Sequence, residues 1–199
     1  MIELYTDVDD VALKWMEGFR AFITSKGIST NGAYPIQWDM SHWVNGPWKD
    51  LIREFNTSPA FGKLKPYRDA VDVLTQMKAK NFRITAITAC SSSPEVHERR
   101  KQNLEKYFSG IFNDLITVDL GQSKYEILKK LTKGFWVEDR MENALDGLIC
   151  GHTCFLMTRP HNLYQQHTDI VRVKSWNSIL TRIDMQLESE SQLEFTTEV

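Results

Sequence analysis

The sequence predicts an α/β architecture: a doubly wound parallel sheet with a small, mostly helical cap inserted after the first strand-helix unit. Three observations predict it. Short, continuous apolar runs recur along the chain, as strands covered on both faces require. Stretches with apolar residues at helical spacing separate those runs, which is the alternation of βα units. One aromatic-rich segment near the N-terminus breaks the alternation and reads as an insertion.

The first run is Ile2 to Tyr5. A helical pattern follows, with Ala12, Trp15, Met16, Phe19, Phe22 and Ile23 on one face, and it stops at Gly27, a residue suited to a left-handed C′ position. From about Gly27 to Leu64, Trp38, Trp43, Trp48, Tyr34, Phe55 and Phe61 stand among prolines and glycines without a clear strand. The cap is therefore assigned to residues 15–67, between core segments 1–14 and 68–190. Val71, Leu74 and Met77 mark a helix ending near Asn81, and "FRITAIT" from Phe82 to Thr88 is the clearest strand, being rich in β-branched residues. Pro94 suits the first turn of a helix running to about Tyr107. "LITV" (Leu115 to Val118), "GFWVE" (Gly134 to Glu138) and "TCFLM" (Thr153 to Met157) give three more strands. Tyr125 to Leu131 reads as a short helix and Trp176 to about Leu187 as a terminal one, in a Rossmann-like order. The acidic end, 191–199, is expected to be a frayed, flexible tail.

At 199 residues the chain can bury a sizeable core, and 42% hydrophobic with 25% charged residues excludes a disordered or fibrous class. A formal net charge of -2 leaves no basic field to grip a long nucleic acid. A small anionic substrate needs only local donors. Cys90, Cys150 and Cys154 are an odd count without metal-ligand spacing, against a disulfide framework or zinc site; Cys90 and Cys154 read as small core residues. No run approaches membrane-spanning length, so the expectation is a cytoplasmic protein without a membrane partner. The oligomeric state is open, with a homodimer among the options.

Ligands bind an open parallel sheet outside the carboxyl ends of its strands. The first run ends in "TDVDD", the second in "TAC" and the fourth in "VEDR", and Lys124 opens the helix before the fourth. These ends place Asp7, Asp9, Thr88, Lys124, Glu138 and Asp139 around one rim. Carboxylates gathered there repel one another unless a cation or protons intervene. A hard divalent ion such as Mg²⁺ commonly takes one or two carboxylates plus substrate phosphate and water. Lys124 would balance further charge, and the Thr88 hydroxyl with the backbone N–H groups after it, beginning at Ala89, would bind phosphate oxygens. Capping alone explains Asp10, because Asp is a favoured N-cap, but not the alternating Asp7 and Asp9.

In these motifs the chain resembles the haloacid dehalogenase-like (HAD) phosphohydrolase superfamily. "DVDDV" at Asp7 to Val11 is similar to its Asp-x-Asp motif, Thr88 in "ITAIT" to its second, Lys124 in "GQSKYEILKKL" to its third, and "FWVEDRMENALDG" to its acidic fourth. "KPYRDAVDVLTQM", "FLMTRPHN" and "VRVKSWNSI" resemble the 5'(3')-deoxyribonucleotidase branch. The resemblance implies a Mg²⁺-dependent phosphomonoesterase acting on (deoxy)nucleoside monophosphates. It implies Asp7 as nucleophile, Asp9 as general acid and base, and Thr88, Ala89 and Lys124 on the phosphate. Mg²⁺ would rest on Asp7, the carbonyl of Asp9 and the motif-four acids Glu138 and Asp139, with Asp139 favoured for direct contact. The cap would select the substrate, with at least one of Phe22, Trp38 and Trp43 meeting the leaving group.

Three departures stand out, the first being Glu138 in place of the more usual first Asp of the fourth motif, whose longer arm leaves open which acid touches the metal directly. Val11 occupies a position where the superfamily often has Thr, and "ACSSSPEVHERR" is longer than the branch's compact turn, so Ser91 is a weaker phosphate ligand. Arg140, Arg159 and His161 are assigned to structural hydrogen bonds. Two alternatives remain at this stage: a phosphatase for another small ester or a nucleic acid terminus, and a catalytically silent binding protein of the same fold.

Overall fold

The structure, a computed structural model, describes residues 1–197, with side chains described to residue 192. Its sheet has six strands: β1 (Ile2–Thr6), β2 (Phe82–Ala89), β3 (Asp114–Val118), β4 (Phe135–Glu138), β5 (Thr153–Met157) and β6 (Ile170–Val173). All neighbours pair in parallel, in the order β3-β2-β1-β4-β5-β6. The order reverses between β1 and β4, and such a switch point opens a crevice at the strands' carboxyl ends. This is the doubly wound, Rossmann-like fold that the sequence predicts. The helices are α1 (Trp15–Ser25), α2 (Trp48–Thr57), α3 (Arg68–Ala79), α4 (Pro94–Tyr107), α5 (Tyr125–Leu128), α6 (Met141–Ile149) and α7 (Trp176–Thr197).

Successive strand residues point to opposite faces, and the two cores follow that alternation. Leu4, Ile84, Phe135, Val137, Phe155 and Met157 face one core with α3, α4 and α7; Tyr5, Ile87, Trp136, Cys154 and Leu156 face the other with α6. Helix α6 approaches β4 so closely that a Cβ at Gly147 would strike the Trp136 ring. That indole in turn donates to the Asn143 carbonyl at 2.9 Å.

The 15–67 segment leaves and returns through one backbone seam. Lys14 N–H donates to the Lys65 carbonyl and Tyr67 N–H to the Ala12 carbonyl, both at 2.9 Å. Gly27, at φ 76°, ends α1 as expected: its N–H reaches the Thr24 carbonyl and that of Ile28 the Ile23 carbonyl, each at 3.0 Å. Trp15 stacks on Phe19 at 4.9 Å, and Phe55 packs edge-on or tilted against Trp15, Phe19, Phe22 and Phe61.

Three details differ from the sequence reading. Strand β6 was not expected; its four residues carry Arg172 in place of a longer apolar run. The short helix ends at Leu128 rather than Leu131. Helix α7 continues through 191–197, where a frayed tail was expected, and residues 198 and 199 lie outside the described residues. Among the described residues no helix is long and apolar enough to cross a membrane.

Candidate active site

The site grows from the end of β1. Asp7 N–H donates to the Val137 carbonyl at 2.8 Å, which extends the pairing with β4 and fixes Asp7 at the switch point. The chain then turns at once: Ala12 and Leu13 both donate to the Val8 carbonyl, and Asp10 takes φ 55°, a left-handed conformation that Asp tolerates better than most residues. Both Asp10 carboxylate oxygens accept the Met16 N–H at 3.1 Å, so Asp10 caps α1 from outside it, and the Arg159 guanidinium holds the Asp10 carbonyl. Burial pushes the Asp10 carboxyl up to about 7, against the pull of that Met16 N–H.

Asp7, Glu138 and Asp139 are all buried and offer carboxylate oxygens within 4.8 Å of one another. Lys124, buried beside them over the Trp136 ring, bonds Asp7 Oδ1 and, at 2.7 Å, Glu138 Oε1. Glu138 is saturated: Asn143 Nδ2 also donates to Oε1 at 2.6 Å, and the backbone N–H groups of Asp139 and Arg140 reach Oε2 at 2.7 Å each. Burial alone would raise the Glu138 carboxyl, but Lys124 and those donors hold it below its ordinary value. Asp7 goes the other way, up to about 8, because burial and the charges of Glu138 and Asp9 outweigh Lys124. Asp139 is also driven well up, by burial first and then by Glu138, Asp7 and Asp10, against the opposing pull of Arg159; among the described residues the ion-pair partner of its carboxylate is His161 Nε2, at 3.4 Å. The His161 ring and Asn162 Nδ2 instead grip its backbone carbonyl, at 3.0 and 2.6 Å.

One lysine serves three buried acids by pairing with two of them, Asp7 and Glu138, and Asp7 and Asp139 are pushed toward protonation. Positive charge is short here, and an all-oxygen donor set suits a hard divalent cation. The residues fit Mg²⁺.

Asp9 lies outside that cluster. Its Oδ1 accepts from Nη2 of Arg100, a buried guanidinium on α4 that the sequence reading missed. The sequence did carry a signal: Val96, Arg100, Asn103 and Leu104 are spaced as one helix face, and that face is buried. Thr88 Oγ1 is buried close enough to Asp9 to favour its ionised form, yet makes no hydrogen bond of normal geometry.

These groups floor a cavity of about 330 Å³, into which Asp7, Asp9, Thr88, Ala89, Lys124, Glu138 and Asp139 all open. Among the three aromatic residues expected to meet substrate, the structure brings only Trp38 to this cavity; Trp15 and Trp48 line it as well. Trp38 sits under the Arg140 guanidinium at 5.0 Å and edge-on to His161 at 5.5 Å. Phe22 and Trp43 are corrected to packing positions within the 15–67 segment. Phe22 packs on Phe55, and Trp43 packs against Phe19 with its indole N–H on the Gly32 carbonyl. Ser91 does not line the cavity either; its Oγ accepts the Ser93 N–H at 3.1 Å.

The fold and the order of the four motif groups around it define a HAD-like phosphohydrolase. Residues 1–188 match the family described as 5' nucleotidase, deoxy (pyrimidine), cytosolic type C protein (NT5C), and the chain belongs to that family. It is an enzyme of the phosphatase and nucleotidase type. Among curated proteins it is similar to an uncharacterized 32.4 kDa protein of the Gp30-rIII intergenic region of Enterobacteria phage T4, 22% identical over 96% of this chain and 73% of the phage protein. Among solved structures, CbbY from Rhodobacter sphaeroides in complex with phosphate aligns at TM-score 0.57 and 16% identity, over 88% of this chain and 95% of that one. A haloacid dehalogenase-like hydrolase, SP0104 from Streptococcus pneumoniae, aligns at TM-score 0.62 and 9% identity, over 92% and 98%. At these identities the structural likeness is one of fold.

Proposed function

We propose that this chain is a Mg²⁺-dependent phosphomonoesterase that dephosphorylates (deoxy)nucleoside monophosphates through a phosphorylated Asp7, in the cytosol that its family's description names. One observation carries the reading: Asp7, Glu138 and Asp139 converge on a single point with Lys124 between two of them, at the floor of a cavity walled by Trp15, Trp38 and Trp48.

Asp7, Asp139 and the Asp9 carbonyl would hold Mg²⁺, with Glu138 behind them fixing Lys124 and the backbone of Asp139. Bound there, the ion supplies charge that screens the phosphate dianion from an attacking carboxylate. Lys124, the Thr88 hydroxyl and the Ala89 N–H orient the phosphoryl oxygens. An Asp7 oxygen attacks phosphorus as the ester P–O bond breaks, and Asp9 gives its proton to the departing oxygen. Asp9 then takes a proton from water as that water attacks the phospho-Asp7 phosphorus, which frees inorganic phosphate and restores Asp7. A donor aimed at the transferring group is worth about 3 kcal/mol in such sites. The residues 15–67, joined to the core by one seam, act as the cap, and flat indole surfaces suit a nucleobase.

The test is phosphate release from a panel of nucleoside monophosphates, sugar phosphates and simple alkyl phosphates, with Mg²⁺ and after chelation. A nucleotide should lead the panel, chelation should abolish turnover, and Asp7→Asn should lose it while keeping the far-UV spectrum of the parent. A best substrate without a base would remove the nucleotide assignment, and full turnover in Asp7→Asn would remove the mechanism.

A further inference from the structure

Resting on that phosphatase reading, we infer that Arg100 is a positioning residue for Asp9, holding one carboxylate oxygen so that the other meets the leaving group. Arg100 is fully buried on α4, and its guanidinium carbon lies 4.0 Å from the centre of the Phe61 ring. Its Nη2 bonds Asp9 Oδ1, while Nε and Nη1 are buried with no hydrogen bond of normal geometry among the described residues, the Cys90 thiol lying close enough to feel the charge. A buried cation with unpaired donors opposes folding. Among the described residues its one ion pair is with Asp9, and that pairing is what offsets the cost of burying the charge.

The geometry accounts for arginine rather than lysine. A planar guanidinium stacked on a ring has its donor directions fixed by the plane, whereas an ammonium on a flexible stem does not. The stack is itself anchored. One turn along α4, Asn103 Nδ2 donates to the Leu64 carbonyl at 2.9 Å, and Arg99 bonds the Thr57 carbonyl, so the segment carrying Phe61 is tied to α4 on both sides. With Oδ1 engaged from behind, Oδ2 is left for the proton that passes to the ester oxygen and later returns from water. Arg100 touches no substrate, since it does not line the cavity.

A group acting through proton donation matters most when the leaving oxygen is strongly basic. The test therefore compares an alkyl ester, a nucleoside 5'-monophosphate or glycerol phosphate, with p-nitrophenyl phosphate, whose leaving group departs with little proton assistance. Arg100→Met should lower kcat/KM, which reads only the steps up to loss of the leaving group, about 100-fold on the alkyl ester, the low end of what general acid catalysis contributes, and less than about 5-fold on the aryl ester; kcat, which also contains hydrolysis of phospho-Asp7, should fall on both. Arg100→Lys, which keeps the charge and loses the planar stack, should lower the alkyl-to-aryl ratio about 10-fold. In an Asp9→Asn background, Arg100→Met should leave the ratio where Asp9→Asn alone puts it. Equal losses of kcat/KM on both esters, or a further change of the kcat/KM ratio without Asp9, would overturn the proposal. Should Arg100→Met not fold, Arg100→Lys decides alone, and an unchanged ratio counts against it. Turnover of both esters by Asp7→Asn would instead overturn the underlying phosphatase reading, whatever the Arg100 variants do.

Discussion

Glu138 and Asp139 are neighbours in sequence with opposite roles in charge. Four donors satisfy Glu138, so it organises the site, whereas Asp139 is fixed through its carbonyl and its carboxylate stays open. His161 supplies part of that grip. Its Nε2 faces a carbonyl, which can only accept, so Nε2 carries the proton of the neutral ring. Burial holds this imidazole below its ordinary 6.5, although the Asp139 carbonyl and Glu138 pull upward. The unfolded chain therefore binds this proton first as pH falls, and the stability that the neutral ring carries is present above about 6.5 and lost below it. Urea melts of the parent and His161→Gln between pH 5 and 8 check the sign: the difference in stability between them should shrink as pH drops through about 6.5. A difference that grew toward acid would contradict the assignment. At this scale the sequence shows Asp7, Asp9, Thr88, Glu138 and Asp139 because each stands at or just beyond a recognisable strand end, and Lys124 because it opens the short helix before β4. Arg100 is hidden by its neighbours, for "EVHERRKQN" reads as a solvated helix face and its buried arginine differs from Arg99 only by register.

Among the elements, α4 begins just beyond the β2 end that carries Thr88 and brings Arg100 to Asp9. Ser93 caps it, accepting the Val96 N–H at 3.4 Å, with Pro94 in the first turn, and the Ser92 N–H and hydroxyl both donate to Asp119 Oδ1 at 2.8 Å. Ser93→Ala removes one side-chain acceptor from a helix end and should cost about 1 kcal/mol, read as a melting temperature lower by about 2–4 °C. A loss several times larger would mean that the turn, and not the cap alone, had collapsed. Strong periodicity makes elements legible: α4 spans Pro94–Tyr107 and β5 Thr153–Met157, as the sequence predicts. Strand β6 escapes because it is an edge strand of four residues, and Arg172 within it bonds Asn162 Oδ1 and the Asn162 carbonyl rather than filling a core. In the cap, composition tells aromatic from polar but not inner from outer. Phe22 and Trp43 turn into the cap's own packing, while Trp15 and Trp48 turn toward the cavity.

For the molecule as a whole, a parallel sheet with one reversal of strand order gathers acids that lie more than 130 residues apart in the chain. The 15–67 segment, joined through the seam at 12–14 and 65–67, brings indoles over them, and Asn56 accepts the Trp15 indole N–H and donates to the Cys90 carbonyl. Sequence order alone shows the strand ends but not which face of the cap meets them, since that depends on packing between elements distant in the chain. The central claim is that Asp7 carries the phosphoryl group. Acid quench during turnover of the best monoester, followed by borohydride reduction and peptide mass spectrometry, reads it directly, because reduction converts a phosphorylated aspartate to homoserine. The account predicts homoserine at position 7, dependent on substrate. Rapid phosphate release with position 7 unmodified, or with the label on another residue, would contradict it.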